Sequence, residues 1–321
     1  MPRLDLSAAE LRAYRPEVAE PGDFDQFWAS TLADHSPRET RAELTPEPSR
    51  LKLVDVWDVS FGGFDNHPIK AWLIAPKGAS GPLPGLIEFI GYGGGRGLPH
   101  ERLAWATAGY AYLYVDLRGQ GSAWGAGGET PDPVGSGPAA PGSMTRGIES
   151  PGTYFYRRVF VDAVRAVEVM RQLPLVDAER LTVAGGSQGG GITIAVAGLT
   201  QGLAAALPDV PFLCHFERAV GFTDQGPYPE IVRYLSVHRG AESQVFDTLS
   251  YFDGVNFARR ASAPALFSVG HLDPVCPPST VYAAFNHWAA EAEMVDYPFN
   301  EHEGGGPFQW QRQADWLAER V

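Results

Sequence analysis

The sequence predicts an α/β fold in which a mostly parallel, doubly wound sheet is covered by helices on both faces. Four near-continuous apolar segments are typical of buried parallel strands: 86–90, 110–115, 181–184 and 265–269. Five segments with helical spacing accompany them: 100–108, 156–173, 190–200, 280–290 and 307–320. Strands that alternate with helices along the chain build a sheet of this kind.

Three further parts of the chain complete the predicted architecture. Residues 1–40 form an N-terminal helical arm with Asp23 as a helix N-cap, because five apolar residues follow helical spacing: Leu11, Phe24, Phe27, Trp28 and Leu32. Segments 53–59 and 69–74 alternate apolar and polar residues across a glycine-containing turn, which predicts an antiparallel hairpin at a sheet edge. The stretch 119–151 is rich in glycine and proline, so we expect a long surface loop there. No internal repeat occurs, which favours one domain over residues 1–321.

Composition and charge exclude several classes of protein. With 44% hydrophobic and 20% charged residues among 321, the chain has enough apolar material for a large core. The net charge of −13 disfavours nucleic acid and anionic membrane surfaces as partners. No apolar run reaches the roughly 18 residues of a membrane span, and the start lacks signal-peptide features, so we expect a cytoplasmic protein. Cys214 and Cys276 show no metal-ligand spacing, so we expect two buried thiols and neither a metal nor another cofactor.

The strongest local motif is Gly-x-Ser-x-Gly at 185–189, between an apolar strand and a helix rich in small residues. This context is typical of a nucleophile elbow, whose sharp turn lifts the serine hydroxyl above the sheet. Glycines flank the serine because a Cβ at either position would collide with a neighbouring strand or helix. The motif predicts Ser187 as a catalytic nucleophile. The alternative, a glycine-rich loop with a capping serine, leaves the apolar strand unexplained.

A serine nucleophile needs a histidine base, which a carboxylate must orient. Elbow enzymes place these residues in the chain order serine, acid, histidine. His302 is the predicted base because it lies in a glycine-rich loop between a short strand and the last helix. Asp273 is the predicted acid, since it follows the apolar strand 265–269 and ligand sites lie beyond the carboxyl ends of parallel strands.

Alternatives to this acid and base stay open at the level of sequence. His271 competes as the base, but it precedes Asp273 and would reverse the chain order. His215 and His287 are expected to be satisfied core or surface histidines. Asp273 has an alternative role in an Asx turn before a proline. Four other carboxylates are possible acids: Asp224, Asp247, Asp253 and Asp296.

An oxyanion hole needs two backbone N–H groups, one from the residue after the nucleophile and one from a loop after an earlier strand. The first residue is Gln188, and the glycine-rich loop 90–97 supplies the second, with Tyr92 as the predicted donor. This loop does not match a phosphate-binding fingerprint, because no Gly-Lys-Ser/Thr follows it.

Three ordered motifs resemble a known family: Arg118-Gly119-Gln120, the segment 185–191 around Ser187, and His302-Glu303. Together they are similar to the carbohydrate esterase family seven, which contains acetyl xylan esterases and cephalosporin C deacetylases. The resemblance extends over roughly residues 1–320. It implies an α/β-hydrolase fold with Ser187, Asp273 and His302 as the triad and the amides of Tyr92 and Gln188 as the oxyanion hole.

The resemblance also implies an activity and an assembly. The expected reaction removes acetyl groups from acetylated sugars, xylo-oligosaccharides and cephalosporins, through an acetyl-enzyme. A shallow acetyl pocket beside the oxyanion hole is expected, lined by Tyr92 and Pro227. Members of the family are commonly ring-shaped hexamers whose sites face an inner cavity. Arg118 and Gln120 are expected to be structural, with Arg118 an ion-paired buried cation.

Two rival functions remain at this point. A peptidase of the prolyl-oligopeptidase type shares the elbow and the triad order, but such enzymes usually carry a large extra domain, for which this chain has no room. A catalytically silent α/β-hydrolase that serves as a binding or scaffold protein is the second rival. The presence of residues at all three triad positions counts against it.

Overall fold

A computed structural model describes residues 5–35, 41–79 and 81–321. Parts of the predicted N-terminal arm, residues 1–4 and 36–40, lie outside the described residues. The strands are β1 (Glu43–Pro46), β2 (Val54–Gly62), β3 (Pro68–Pro76), β4 (Leu83–Phe89), β5 (Ala111–Val115), β6 (Val176–Gly186), β7 (Ala205–Asp209), β8 (Ala265–Gly270) and β9 (Ala292–Tyr297). The helices are α1 (Ala8–Ala13), α2 (Phe24–Asp34), α3 (Ala104–Thr107), α4 (Phe155–Gln172), α5 (Gln188–Leu199), α6 (Phe216–Phe222), α7 (Pro229–Val237), α8 (Glu242–Ser250), α9 (Gly254–Ala258), α10 (Pro278–His287) and α11 (Gly306–Ala318).

The described strands form one sheet in the order β1-β2-β3-β5-β4-β6-β7-β8-β9. The pairs from β5 to β9 are all parallel, whereas β1, β2 and β3 are antiparallel to their neighbours. This mostly parallel sheet has the α/β-hydrolase fold, as the sequence predicts. Strands β5 and β8 are buried at every position because helices cover both faces of the sheet.

The structure differs from the predicted elements in several places, and it contains four helices that were not predicted, α6 to α9. The predicted hairpin is present as β2 and β3, but the short, fully exposed strand β1 continues the sheet beyond it. Strand β7 was not predicted, because its sequence Ala-Ala-Leu-Pro-Asp is short and contains a proline. The predicted helix 100–108 divides into a 3₁₀ turn, Pro99–Glu101, and the short α3. The predicted arm is two helices, since prolines and a glycine interrupt the segment between α1 and α2.

Helix α2 attaches the N-terminal arm to the body of the protein. Phe24 and Trp28 are buried, and the Trp28 indole donates to the carbonyl oxygen of Tyr251 at 3.0 Å. The predicted N-cap role of Asp23 is wrong, because its side chain makes no capping hydrogen bond. Its carboxylate instead accepts from the Tyr251 hydroxyl at 2.6 Å, which also holds the arm in place.

The segment between β5 and α4 contains neither helix nor strand, as predicted for 119–151, but parts of it are buried. Arg118 is fully buried, and its guanidinium donates to both carboxylate oxygens of Asp162 on α4, at 2.6 and 2.8 Å. Asp132 lies 3.4 Å from the same guanidinium. The expectation of an ion-paired buried cation is confirmed. Such a bidentate pair fixes the start of the loop against α4.

Among the described residues, none of the helices combines the length and the apolar character needed to span a membrane. The cytoplasmic location and the single-domain organisation stay predictions.

Candidate active site

Ser187 lies at the turn between β6 and α5, in the backbone conformation that the elbow motif predicts. Its φ of 56° and ψ of −118° are a strained combination for a residue with a side chain. A Cβ on Gly185 would lie 2.5 Å from the carbonyl carbon of Gly189. A Cβ on Gly189 would lie 2.0 Å from the carbonyl oxygen of Phe89 on β4. Only glycine at both positions therefore allows the turn that raises the Ser187 hydroxyl above the sheet.

The structure brings the three predicted triad residues together. The Ser187 hydroxyl donates to Nε2 of His302 over 3.0 Å, in the tautomer that carries the ring proton on Nδ1. That Nδ1 donates to Oδ2 of Asp273 over 2.8 Å. The Asp273 carboxylate is fully buried, whereas a third of the His302 side chain is exposed. The arrangement can move the serine proton to a base that a carboxylate holds in one tautomer.

Asp273 makes the contacts that both of the roles left open by the sequence require. Its Oδ1 accepts from the backbone N–H groups of Val275 and Cys276, at 2.8 and 2.9 Å, and so closes the turn after β8. Its Oδ2 is then left for His302. The turn holds the carboxylate in the orientation that the histidine needs.

The competing residues occupy other places. His271 bonds to Asp296 at 2.6 Å. Asp253 accepts from the backbone N–H of Val255 in α9 and from two backbone N–H groups at the start of α6. Burial lowers the pKa of His287, whose ring bonds to a backbone carbonyl at 2.8 Å. Burial also lowers the pKa of His215 to about 4. The expectation of a satisfied His215 ring is wrong, because its Nδ1 is buried with no partner among the described residues.

Side-chain amides connect the two predicted oxyanion-hole segments. Gln188 is the first residue of α5, so its N–H has no acceptor within the helix. The Gln120 side chain accepts from the N–H of Gly93 at 2.8 Å and donates to Oε1 of Gln188 at 2.9 Å. The Tyr156 hydroxyl donates to the same Gln188 oxygen at 2.8 Å. Gln120 therefore ties the loop after β4 to the nucleophile elbow, as expected for a structural residue.

Hydrogen bonds hold Tyr92 at its side-chain hydroxyl and at its backbone carbonyl. Its hydroxyl donates to Glu230 at 2.7 Å and accepts from the N–H of Ser143 at 2.5 Å. Its carbonyl oxygen accepts from the Trp124 indole at 2.7 Å. Burial raises the pKa values of Tyr92 and Glu230. The sequence pattern missed Glu230, which lies 138 positions from Tyr92 and follows no motif.

A cavity of about 840 Å³ opens beside Ser187 and His302. Both predicted substrate-binding residues, Tyr92 and Pro227, line it together with Trp124. The site therefore combines the predicted nucleophile and the predicted base with enough room for a substrate of moderate size.

Asp273, Cys276 and His302 offer ligand atoms that lie within 4.8 Å of one another. Two of these residues are bonded to each other in the triad geometry. Burial raises the pKa of the Cys276 thiol, which disfavours the thiolate that a metal would need. These donors fit the proton-transfer chain better than a metal centre, and we assign no metal to them.

Asp209, at the end of β7, is a second residue near the site that the sequence missed. Its carbonyl oxygen accepts from the N–H of Ser187 at 2.9 Å. Its carboxylate accepts from the side chains of Gln309 and Gln313 on α11, at 3.0 and 2.7 Å. Asp209 thus joins the elbow to the helix that follows the His302 loop. Burial raises its pKa to about 7, although these hydrogen bonds oppose the shift.

This shift predicts a pH dependence of stability. The folded protein binds the Asp209 proton more tightly than the unfolded chain does. The contribution of this proton to the free energy of unfolding is therefore fully present below about pH 4 and is lost as pH rises towards 7. We expect the free energy of unfolding to fall over this window by up to about 1.4 kcal/mol per pH unit from this group. Urea titrations between pH 4 and 8 measure it. Asp253, whose pKa is raised to about 6, makes stability fall with pH in the same direction. The contribution of Asp209 is therefore the difference in pH slope between the wild type and Asp209→Asn. An Asp209→Asn protein with the same pH slope as the wild type would contradict the prediction.

Comparisons with known proteins identify relatives of this chain. The family model described as acetyl xylan esterase (AXE1) matches residues 1–320. The chain is similar to the solved acetyl xylan esterase of Paenibacillus sp. R4, with 39% identity, a TM-score of 0.92, and coverage of 98% of this chain and 100% of that one. It is similar to acetyl xylan esterase 1 of Thermoanaerobacterium sp. JW/SL YS485, with 30% identity, a TM-score of 0.90, and coverage of 98% and 99%. The acetyl esterase Axe7A of Xylanibacter ruminicola is 28% identical over 96% of this chain and 69% of its own length.

Proposed function

The chain belongs to the acetyl xylan esterase family, and from this premise we propose that it is a serine carboxylesterase that removes acetyl groups from acetylated sugars and xylo-oligosaccharides. Cephalosporin C-type acetyl esters are proposed as further substrates. The observation that carries the proposal is the unbroken hydrogen-bonded chain from Ser187 through His302 to Asp273 at a strained elbow. The names of the similar esterases agree with this reaction class.

The proposed mechanism begins when Nε2 of His302 accepts the Ser187 proton and Oγ attacks the acetyl carbonyl carbon. The backbone N–H groups of Tyr92 and Gln188 donate to the resulting oxyanion. The bond to the sugar oxygen then breaks, and His302 gives its proton to the leaving alkoxide, so that an acetyl-enzyme forms. Water attacks this ester with the help of the same base, which releases acetate and restores Ser187.

Selectivity for acetyl is proposed to come from Tyr92 and Pro227, which line the cavity beside the nucleophile. The Tyr92 ring has little freedom to move aside, because Glu230 and Ser143 hold its hydroxyl and the indole of Trp124 holds its carbonyl. A longer acyl chain would have to displace this ring.

A series of p-nitrophenyl esters from acetate to octanoate tests the proposal. We expect the highest kcat/KM for acetate and a steep fall with chain length, because a rigid, shallow pocket cannot accept additional methylenes. Acetylated xylobiose and cephalosporin C, with acetate release as the readout, then test the two substrate classes. A preference for longer chains would contradict deacetylation and indicate a general esterase.

We further propose, from the family resemblance, a ring-shaped hexamer whose sites face an inner cavity. Exposed apolar side chains flank the His302 loop, since Phe299 is 82% and Phe308 is 75% exposed. Contact with a second copy would remove this apolar surface from water. Analytical ultracentrifugation is expected to give about six times the chain mass of 34.7 kDa, and a monomer at micromolar concentration would overturn this assembly.

A further inference from the structure

The carboxylate of Glu230 joins three separate parts of the chain beside the cavity. Glu230 lies in the first turn of α7, and it lines the cavity together with Gly226 and Pro227, which precede the helix. Its Oε1 accepts from the Tyr92 hydroxyl at 2.7 Å, and its Oε2 accepts from the N–H of Met144 at 3.0 Å. One side chain therefore connects α7, the loop after β4 and the long loop before α4.

The long loop is built closely against this carboxylate. Gly142 has a φ of 119°, and a Cβ at this position would collide with both carboxylate oxygens of Glu230. Glycine therefore lets the loop approach far enough for the N–H of Met144 to donate. The carbonyl oxygen of Met144 in turn accepts from the buried Tyr154 hydroxyl at 2.9 Å, which anchors this part of the loop in the core.

We propose that Glu230 limits the length of the acyl chain, because it holds the Tyr92 ring in place as a wall of the acyl pocket. Glu230 acts through Tyr92 and is a positioning residue. The inference rests on the proposed deacetylase function and adds to it the residue, on a different element of the fold, that enforces the selectivity for acetyl.

The backbone of Tyr92 is held in place, so a larger acyl pocket on this wall requires rotation of its side chain. The Trp124 indole donates to the Tyr92 carbonyl oxygen at 2.7 Å, and the Tyr92 N–H is the predicted oxyanion donor. The Tyr92 ring packs against the buried ring of Phe212, at 6.3 Å and an angle of 68°. Rotation of the ring out of the pocket must therefore break the hydrogen bond from its hydroxyl to Glu230, and a hydrogen bond to a carboxylate is a strong one.

The neighbouring wall leaves little space for additional methylenes. Gly226, Pro227 and Val275 all line the cavity. A Cβ on Gly226, whose φ is 70°, would lie 2.5 Å from Cγ1 of Val275, so these two segments are in close contact. A longer acyl chain is therefore expected to press against Tyr92.

A carboxylate suits the position of Glu230, because both of its partners are hydrogen-bond donors. Burial raises the pKa of Glu230, and its two hydrogen bonds, together with the charges of Arg146 and Arg233, oppose this shift. An apolar side chain of similar size would leave the Tyr92 hydroxyl without its acceptor and so release the ring.

The test measures the ratio of kcat/KM for p-nitrophenyl butyrate to kcat/KM for p-nitrophenyl acetate. Glu230→Leu keeps a side chain of similar size without an acceptor, and Tyr92→Phe keeps the ring and the backbone N–H without the hydroxyl. Each variant is expected to raise the ratio by about tenfold, because the two additional methylenes of butyrate can then displace the ring. A role in stability alone would lower both values alike and leave the ratio unchanged, which would overturn the proposal.

The double variant shows whether the two residues act as a pair. Either change breaks the same hydrogen bond, so Glu230→Leu combined with Tyr92→Phe is expected to raise the ratio no further than each change alone. A rise of about a hundredfold in the double variant would mean independent effects and would overturn the positioning role. Glu230→Asp serves if the leucine variant does not fold, since the shorter carboxylate cannot reach Tyr92 and Met144 together.

Tyr251→Phe is the matched control. The Tyr251 hydroxyl also donates to a carboxylate, that of Asp23, at 2.6 Å, and neither residue is among those described as lining the cavity. This variant should leave the ratio within about twofold of the wild type. An equal rise of the ratio in the control would contradict the proposal, because the loss of a remote tyrosine–carboxylate bond would then have the same effect.

The wild type separates this inference from the proposed function on which it rests. If the wild type hydrolyses the butyrate ester as well as the acetate ester or better, the proposed selectivity for acetyl is itself wrong. If the wild type prefers acetate and the variants keep its ratio, only the role of Glu230 is wrong.

Discussion

Replacing Ser187 with alanine is expected to lower the turnover of p-nitrophenyl acetate by about 10⁶. The hydroxyl is the group that would form the acetyl-enzyme, and its 3.0 Å hydrogen bond to His302 is the first step of the proton path. Alanine keeps the Cβ and the backbone strain at this position, so the loss should come from chemistry rather than from folding. Steady-state hydrolysis by purified protein, with a melting curve for each variant, measures the effect.

Ser136→Ala is the control for this variant. Ser136 lies in the exposed loop, where its hydroxyl donates to the carbonyl oxygen of the next residue and to no other described residue, so its removal should leave turnover unchanged. A fluorophosphonate probe should label the wild type and the control but not Ser187→Ala, because only an activated serine reacts quickly. A Ser187→Ala protein that keeps more than a few per cent of activity would contradict the nucleophile assignment. An unlabelled wild type would favour the silent scaffold.

Replacing Asp273 with asparagine is expected to lower turnover by about 10⁴ while the fold is retained. The amide oxygen of asparagine can still accept the N–H groups of Val275 and Cys276 and so keep the turn after β8. Its nitrogen then faces Nδ1 of His302 as a donor, in the place where a carboxylate oxygen now accepts. The ring must move its proton to Nε2, which can then no longer accept the Ser187 proton.

Asp296→Asn is the matched control, because Asp296 also bonds to a histidine, His271, at 2.6 Å. It should change turnover by no more than a few fold, since neither residue contacts the nucleophile. Equal losses in the two variants would mean that the carboxylate acts through stability, and a larger loss in Asp296→Asn would reinstate His271 as the base.

Local sequence was sufficient to predict the elbow and the order of the triad. The strained backbone of Ser187 is possible because the two flanking glycines carry no Cβ. A Cβ at either position would collide with backbone atoms a few residues away or on the adjacent strand β4. Asp273 and His302 were predictable because the carboxyl ends of parallel strands meet at one edge of a sheet. The strand pattern was weaker for β1 and β7, which are short and offer little periodicity.

Contacts between distant side chains could not be predicted in the same way. Glu230 on α7 accepts a hydrogen bond from the Tyr92 hydroxyl. Asp209 links the elbow to α11, because its carboxylate accepts from Gln313, which lies 104 positions later in the chain. No motif marks either residue, because a lone carboxylate on a helix or at a strand end is usually solvated. Only the packing of helices on the sheet places these carboxylates where burial raises their pKa.

The sequence by itself was enough to predict the fold class, the elbow at Ser187, the order in which Asp273 and His302 follow it, and the resemblance that the family match confirms. These features depend on short-range sterics and on the periodic burial of strands, which are written into consecutive residues. Only the tertiary structure shows which distant residues line the cavity beside Ser187. They include the paired rings of Trp105 and Trp310 and the carboxylates of Glu88 and Asp209. Their meeting depends on how α3 and α11 cover the sheet, and packing of that kind is a property of the whole folded chain rather than of any segment.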